Sequence, residues 1–117
     1  MKQEVKEKWV AALRSGDYKQ GEGCMWRRNE NAHCCLGVLS DIYVKENGVN
    51  LLDLYNENEY DDSLVGQTAI LHSAVAEWAG LPVNARVRSQ KGTPLDVLND
   101  SGNYTFQDIS EIIDKEL

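Results

Sequence analysis

His33-Cys34-Cys35-Leu36-Gly37-Val38-Leu39-Ser40-Asp41-Ile42-Tyr43-Val44-Lys45-Glu46-Asn47 is the longest apolar-rich stretch in an otherwise polar and acidic chain. Cys35, Leu36, Val38, Leu39, Ile42, Tyr43 and Val44 fall at helical spacing on more than one face, which predicts a helix buried on most sides. Small side chains at Cys34, Cys35 and Gly37 leave room for another backbone to come close to its start. Asn47-Gly48 then supplies the left-handed residue that stops a helix.

Working outward, residues 2–15 predict an amphipathic helix with Val5, Trp9, Ala12 and Leu13 on one face. Residues 17–23 contain two glycines and are expected to be irregular. Residues 24–28 read as a short strand, with Asn29-Glu30-Asn31 as the turn of a hairpin that returns through Ala32-His33 into the core helix. Beyond Gly48, residues 49–54 form an apolar patch, and residues 55–63 an acidic, solvated loop carrying Glu57, Glu59, Asp61 and Asp62. Residues 64–71 fit a strand or the start of a helix equally well.

A short helix is expected over residues 72–79, with Leu71, Val75, Trp78 and Ala79 inward, closed by Gly80 and Pro82. Residues 83–91 read as an edge strand or extended loop. Thr93 and Pro94 have the grammar of an N-cap and first helical position, followed by Leu95, Val97 and Leu98 as a buried turn and residues 99–103 as a reverse turn. Thr105 with Asp108 predicts a capped terminal helix that buries Phe106, Ile109, Ile112, Ile113 and Leu117. Together these elements predict a single α+β domain over residues 1–117, mostly helical, with a small β-hairpin.

The composition bounds the function. A chain of 117 residues buries roughly two thirds of its unfolded surface without needing a metal or disulfide. A formal net charge of -7 argues against general nucleic-acid binding and suits a basic protein partner. An odd cysteine count of three, with a polar Met1-Lys2-Gln3-Glu4 start and no signal-like run after it, predicts a reducing cytoplasm. Disulfides are not expected there. No stretch approaches the roughly 18 apolar residues of a membrane span.

Four pieces carry a family resemblance in order: Lys8-Trp9-Val10-Ala11-Ala12-Leu13-Arg14-Ser15-Gly16-Asp17-Tyr18-Lys19-Gln20-Gly21, Cys34-Cys35-Leu36-Gly37-Val38-Leu39, Glu77-Trp78-Ala79-Gly80-Leu81, and Leu98-Asn99-Asp100-Ser101-Gly102 followed by Phe106 and Ile109. The combination spans nearly the whole chain and resembles a family of small uncharacterised proteins of tailed bacteriophages and prophages. That resemblance implies a phage-encoded accessory protein in a bacterial host cytoplasm, and implies no activity. By context, small acidic phage proteins are similar in role to anti-defence factors, which occupy a host effector or soak up a nucleotide signal.

Trp26-Arg27-Arg28 is the one compact cluster with ligand-like chemistry, since an indole beside two guanidiniums can stack a planar base and hold a phosphate. Arg86, Arg88 and Lys91 would extend it into a cationic island. The competing reading places Trp26 in the core and uses the arginines to neutralise nearby carboxylates. Tyr18 and Gln20 can offer a ring face and an amide from the glycine-rich segment, and Asn99 and Asp100 can bond a sugar or base edge or simply close a turn.

Cys24, His33, Cys34, Cys35 and His72 lack metal-ligand spacing and read as core; no metal or cofactor is expected. The glycines form no phosphate loop. Two functions lead: sequestration of a small anionic nucleotide-like ligand, and inhibition of a basic host protein through the acidic surface. A small cysteine- or carboxylate-dependent enzyme is a third reading, and a homo-oligomer that completes a pocket from two chains is compatible with any of them.

Overall fold

The computed structural model describes residues 1–117 and contains six helices and four two-residue strands. The helices are α1 (Gln3–Arg14), α2 (Cys35–Asn47), α3 (Leu51–Leu54), α4 (Ser73–Ala79), α5 (Leu95–Asp100) and α6 (Phe106–Glu116). The strands are β1 (Lys19–Gln20), β2 (Trp26–Arg27), β3 (Ala32–His33) and β4 (Leu64–Val65). They form one mixed sheet in the order β1-β3-β2-β4, with β1 parallel to β3 and the other pairs antiparallel. The architecture is α+β. No helix is long and apolar enough to cross a membrane.

The centre is α2, as its all-round apolar pattern demands. Cys35, Leu36, Val38 and Leu39 are fully buried, and Gly48 ends the helix in the left-handed region at φ +67. Gly37 sits against the backbone of Met25 with no space for a side chain. This close approach seats the residue before β2 directly on the core helix. Burying large side chains such as Leu36 and Leu39 contributes about 2 kcal/mol each before the entropy of ordering them.

Helix α1 packs on α2, and α6 packs in turn on α1. Val5, Trp9, Val10 and Leu13 of α1 meet Phe106, Ile109 and Ile113 of α6 in the same core, and the Trp9 indole donates to the Cys35 carbonyl at 2.9 Å. That bond satisfies a polar atom which burial would otherwise strand. Thr105 and Asp108 cap α6 reciprocally, as their spacing predicts.

The structure corrects several local expectations. Residues 19–20 are a strand despite the glycines around them, because β3 lies alongside and takes their backbone hydrogen bonds. The 49–54 patch contains the short helix α3, whose N-terminus Asp53 caps by accepting from Asn50 N at 2.8 Å. Pro94, not Thr93, is the N-cap of α5; Asn99 and Asp100 lie within that helix instead of in a turn, and Val97 faces solvent at 46% exposure. Residues 83–91, open between an edge strand and an extended loop, take the loop alternative, with a single bridge from Arg88 to Pro94.

Candidate functional site

β2 and β3 are the hairpin expected from the sequence, with Trp26 opposite His33 and Arg27 opposite Ala32. Cross-strand partners share a sheet face, while neighbours along a strand alternate. Trp26 and Arg27 therefore project to opposite sides, and Arg28, in the turn that follows, lies on the Trp26 side. On the Trp26 side lies a recess of about 700 Å³, bounded by the 17–18 turn, the hairpin, the C-terminal half of α2 and the start of α3.

One wall of the recess is aromatic. The Trp26 and His33 rings are nearly parallel, at 20° with centroids 6.2 Å apart, and Tyr18 meets His33 edge-on at 5.2 Å. The Trp26 indole donates to Asn31 Oδ1 at 3.2 Å, and the Arg28 guanidinium lies 5.7 Å from the indole centroid. Trp26 is half-buried, with its polar edge tied down by the turn.

The wall formed by α2 is polar. Tyr18 donates its hydroxyl proton to Asp41 Oδ2 at 2.5 Å, and Lys45 Nζ lies 2.8 Å from the same oxygen and 3.3 Å from the Tyr18 hydroxyl. Burial, followed by the bond to Asp41, pushes the Tyr18 pKa up, so its phenol stays protonated. Burial lowers the pKa of His33 from its ordinary 6.5, partly opposed by the nearby Asp41. His33 is therefore neutral at pH 7.

Of the residues singled out in the sequence, Tyr18, Trp26 and Arg28 line this recess. Gln20, Arg27, Asn99 and Asp100 do not. Arg27 Nε donates to the Glu22 carbonyl at 2.8 Å on the opposite face. Asn99 is fully buried, accepting from Cys35 N and Gln20 Nε2 at 3.2 Å each and donating to the Gly21 carbonyl at 2.8 Å. Asp100 accepts from Asn99 Nδ2 at 3.0 Å and from Gly23 N at 3.2 Å. These residues clamp the glycine-rich segment to α2 and α5, a structural use of the same polar groups.

The cationic island does not assemble, since none of Arg86, Arg88 and Lys91 lines the recess. Arg88 instead donates to the Gly92 carbonyl at 2.7 Å. Arg28 is paired with Glu57 at 3.2 Å and donates to the Asp62 carbonyl at 3.2 Å, which fastens the acidic segment to the hairpin. The rest of that segment is largely exposed, with Tyr60 at 91%.

Cys24, Cys34 and Cys35 are free and buried. Burial pushes Cys34 up to about 12 and raises the other two, so none supplies a thiolate at neutral pH. His72 caps α4 by accepting from Ala74 N at 3.1 Å.

His33, Asp41, Lys45 and Asn31 belong to the recess and were not read as ligand-binding residues from the sequence. The Asp41 and Lys45 pair, four apart on the most apolar helix of the chain, was the available signal. Neither a curated protein nor a solved structure matches the chain. With residues 1–117 matched throughout, the chain belongs to the family described as Domain of unknown function (DUF8296).

Proposed function

We propose that this is a phage-encoded accessory protein of the bacterial host cytoplasm that binds and sequesters a small nucleotide-like signal in the recess beside Trp26. The observation that carries the reading is the convergence of Tyr18, Trp26 and His33 on one wall, with Arg28 at the indole. Aromatic faces take a planar base, and a guanidinium at their edge takes an anionic group. The volume of about 700 Å³ accommodates a mononucleotide or dinucleotide.

A panel of nucleotides and cyclic dinucleotides tested by thermal shift checks this. The expected result is a higher Tm with at least one member, read against each variant's own unliganded Tm, and lost in Trp26→Ala and in Arg28→Ala, both still folded at the start of the melt. No shift with any member overturns the reading.

A second reading rests on a different observation. Tyr60, at 91% exposure, stands among Glu59, Asp61 and Asp62 on the segment held by Arg28, as an aromatic anchor ringed by carboxylates for a basic host protein. Loss of host-factor inhibition on neutralising Glu59, Asp61 and Asp62, with nucleotide binding unchanged, would favour it.

A further inference from the structure

Two hydrogen-bonding groups in the wall of the recess are unused by the protein. The first is on His33, which is 5% exposed and whose Nδ1 is enclosed with no partner. A neutral imidazole carries one N–H and one lone pair. Orphaned buried N–H groups are rarer in native structures than under-satisfied acceptors, so the proton belongs on Nε2, the nitrogen that is not enclosed. His33 then offers the recess a neutral N–H donor.

The second group is on Asp41. Its Oδ2 is taken by the Tyr18 hydroxyl at 2.5 Å and Lys45 at 2.8 Å, whereas Oδ1 accepts no hydrogen bond from the protein. Tyr18 touches both residues, edge-on to His33 and bonded to Asp41, so donor and acceptor flank one phenol ring. One donor and one acceptor are what the edge of a nucleobase calls for, where an N–H stands next to a ring nitrogen or a keto oxygen.

The charges of the recess point away from a phosphate-rich ligand. Asp17, Asp41 and Asp53 line it against Arg28 and Lys45, which leaves an excess of negative charge. Both cations already have partners, Glu57 at 3.2 Å and Asp41 at 2.8 Å. Each phosphate beyond the one that Arg28 takes would add charge that no other cation in the recess is free to meet.

Building on the nucleotide-binding reading, we propose that the recess reads a base edge, Asp41 Oδ1 taking a base N–H and His33 Nε2–H donating to its neighbouring acceptor. It thereby selects nucleosides and nucleoside monophosphates over polyphosphates.

Calorimetric titration of the full chain with adenosine, guanosine, their monophosphates and their triphosphates tests this. The expected order has nucleoside and monophosphate about tenfold or more tighter than triphosphate, with His33→Phe, which keeps a flat ring beside Trp26, losing about tenfold for the bound monophosphate. Affinity that is flat or rises with phosphate number overturns the inference and leaves the nucleotide reading standing. Absence of binding to every probe overturns the inference, and overturns the nucleotide reading as well when the wider panel of nucleotides and cyclic dinucleotides also gives no thermal shift. Because His33→Phe can disturb folding, a long-range ¹H–¹⁵N spectrum of the free parent protein gives an independent readout. A proton on His33 Nε2 is expected, and a proton on Nδ1 overturns the assignment.

Discussion

Gly37 and Met25 are in backbone contact: a Cβ placed on Gly37 would overlap the carbonyl of Met25. The contact locks the segment entering β2 onto the first turn of α2, and with it the base of the recess. Gly37→Ala would gain a little helix propensity but force two backbones apart. A loss of about 3 kcal/mol is expected. Thermal denaturation should show a Tm lower by roughly 10 °C or more; an unchanged Tm would mean that the two segments are free to separate.

Asn99 holds three segments together through its side-chain amide. Asn99→Leu keeps similar volume but leaves the Cys35 N–H and the Gly21 carbonyl without partners. Stability should fall by about 3 kcal/mol, measured by urea unfolding. Because Asn99 lies outside the recess, nucleotide affinity measured below the transition should be retained. Loss of affinity with stability intact would restore Asn99 as a ligand-binding residue.

The three thiols should be silent in the native state. At pH 8 a chromogenic disulfide reagent is expected to label none of Cys24, Cys34 and Cys35 within minutes, and all three on unfolding in guanidinium. Rapid native labelling of Cys34 would contradict its burial.

His33 makes stability depend on pH. Its folded pKa lies below the ordinary 6.5, because burial outweighs the opposing Asp41 charge and the Lys45 charge adds to the lowering. Below pH 6.5 the unfolded chain takes up the proton before the folded chain does, so the stabilising contribution is complete above 6.5 and is lost as pH falls through the folded value. Urea titrations between pH 7.5 and about 5 should therefore show falling stability, with a shallower fall in His33→Phe. The same slope in both proteins would assign the effect to other groups.

Local grammar was legible wherever a few neighbouring residues decide the outcome. The all-round apolar pattern of residues 35–44 announced the central helix, Thr105 and Asp108 its terminal companion, and Asn29-Glu30-Asn31 the hairpin turn. The hairpin also put Trp26 and Arg27 on opposite faces, because side chains alternate along a strand, and its turn brought Arg28 back to the indole. Arg27 therefore leaves the other two, a consequence that composition alone hides.

What the sequence determined by itself was the four longest helices and the β2–β3 hairpin, since helix periodicity, caps and turns are written within spans of three to seven residues. Tertiary packing alone decided which polar groups are free. Asn99 and Asp100 look like ligand-binding groups until folding brings the backbone of Gly21, Gly23 and Cys35 against them, and Gln20 until Asn99 and the Tyr104 carbonyl take its amide. His33 looks like core until Tyr18, Trp26 and Asp41, from three separate segments, form a recess around it. A side chain's chemistry is local, but its satisfaction is not, because the partners that satisfy or abandon it come from distant parts of the chain.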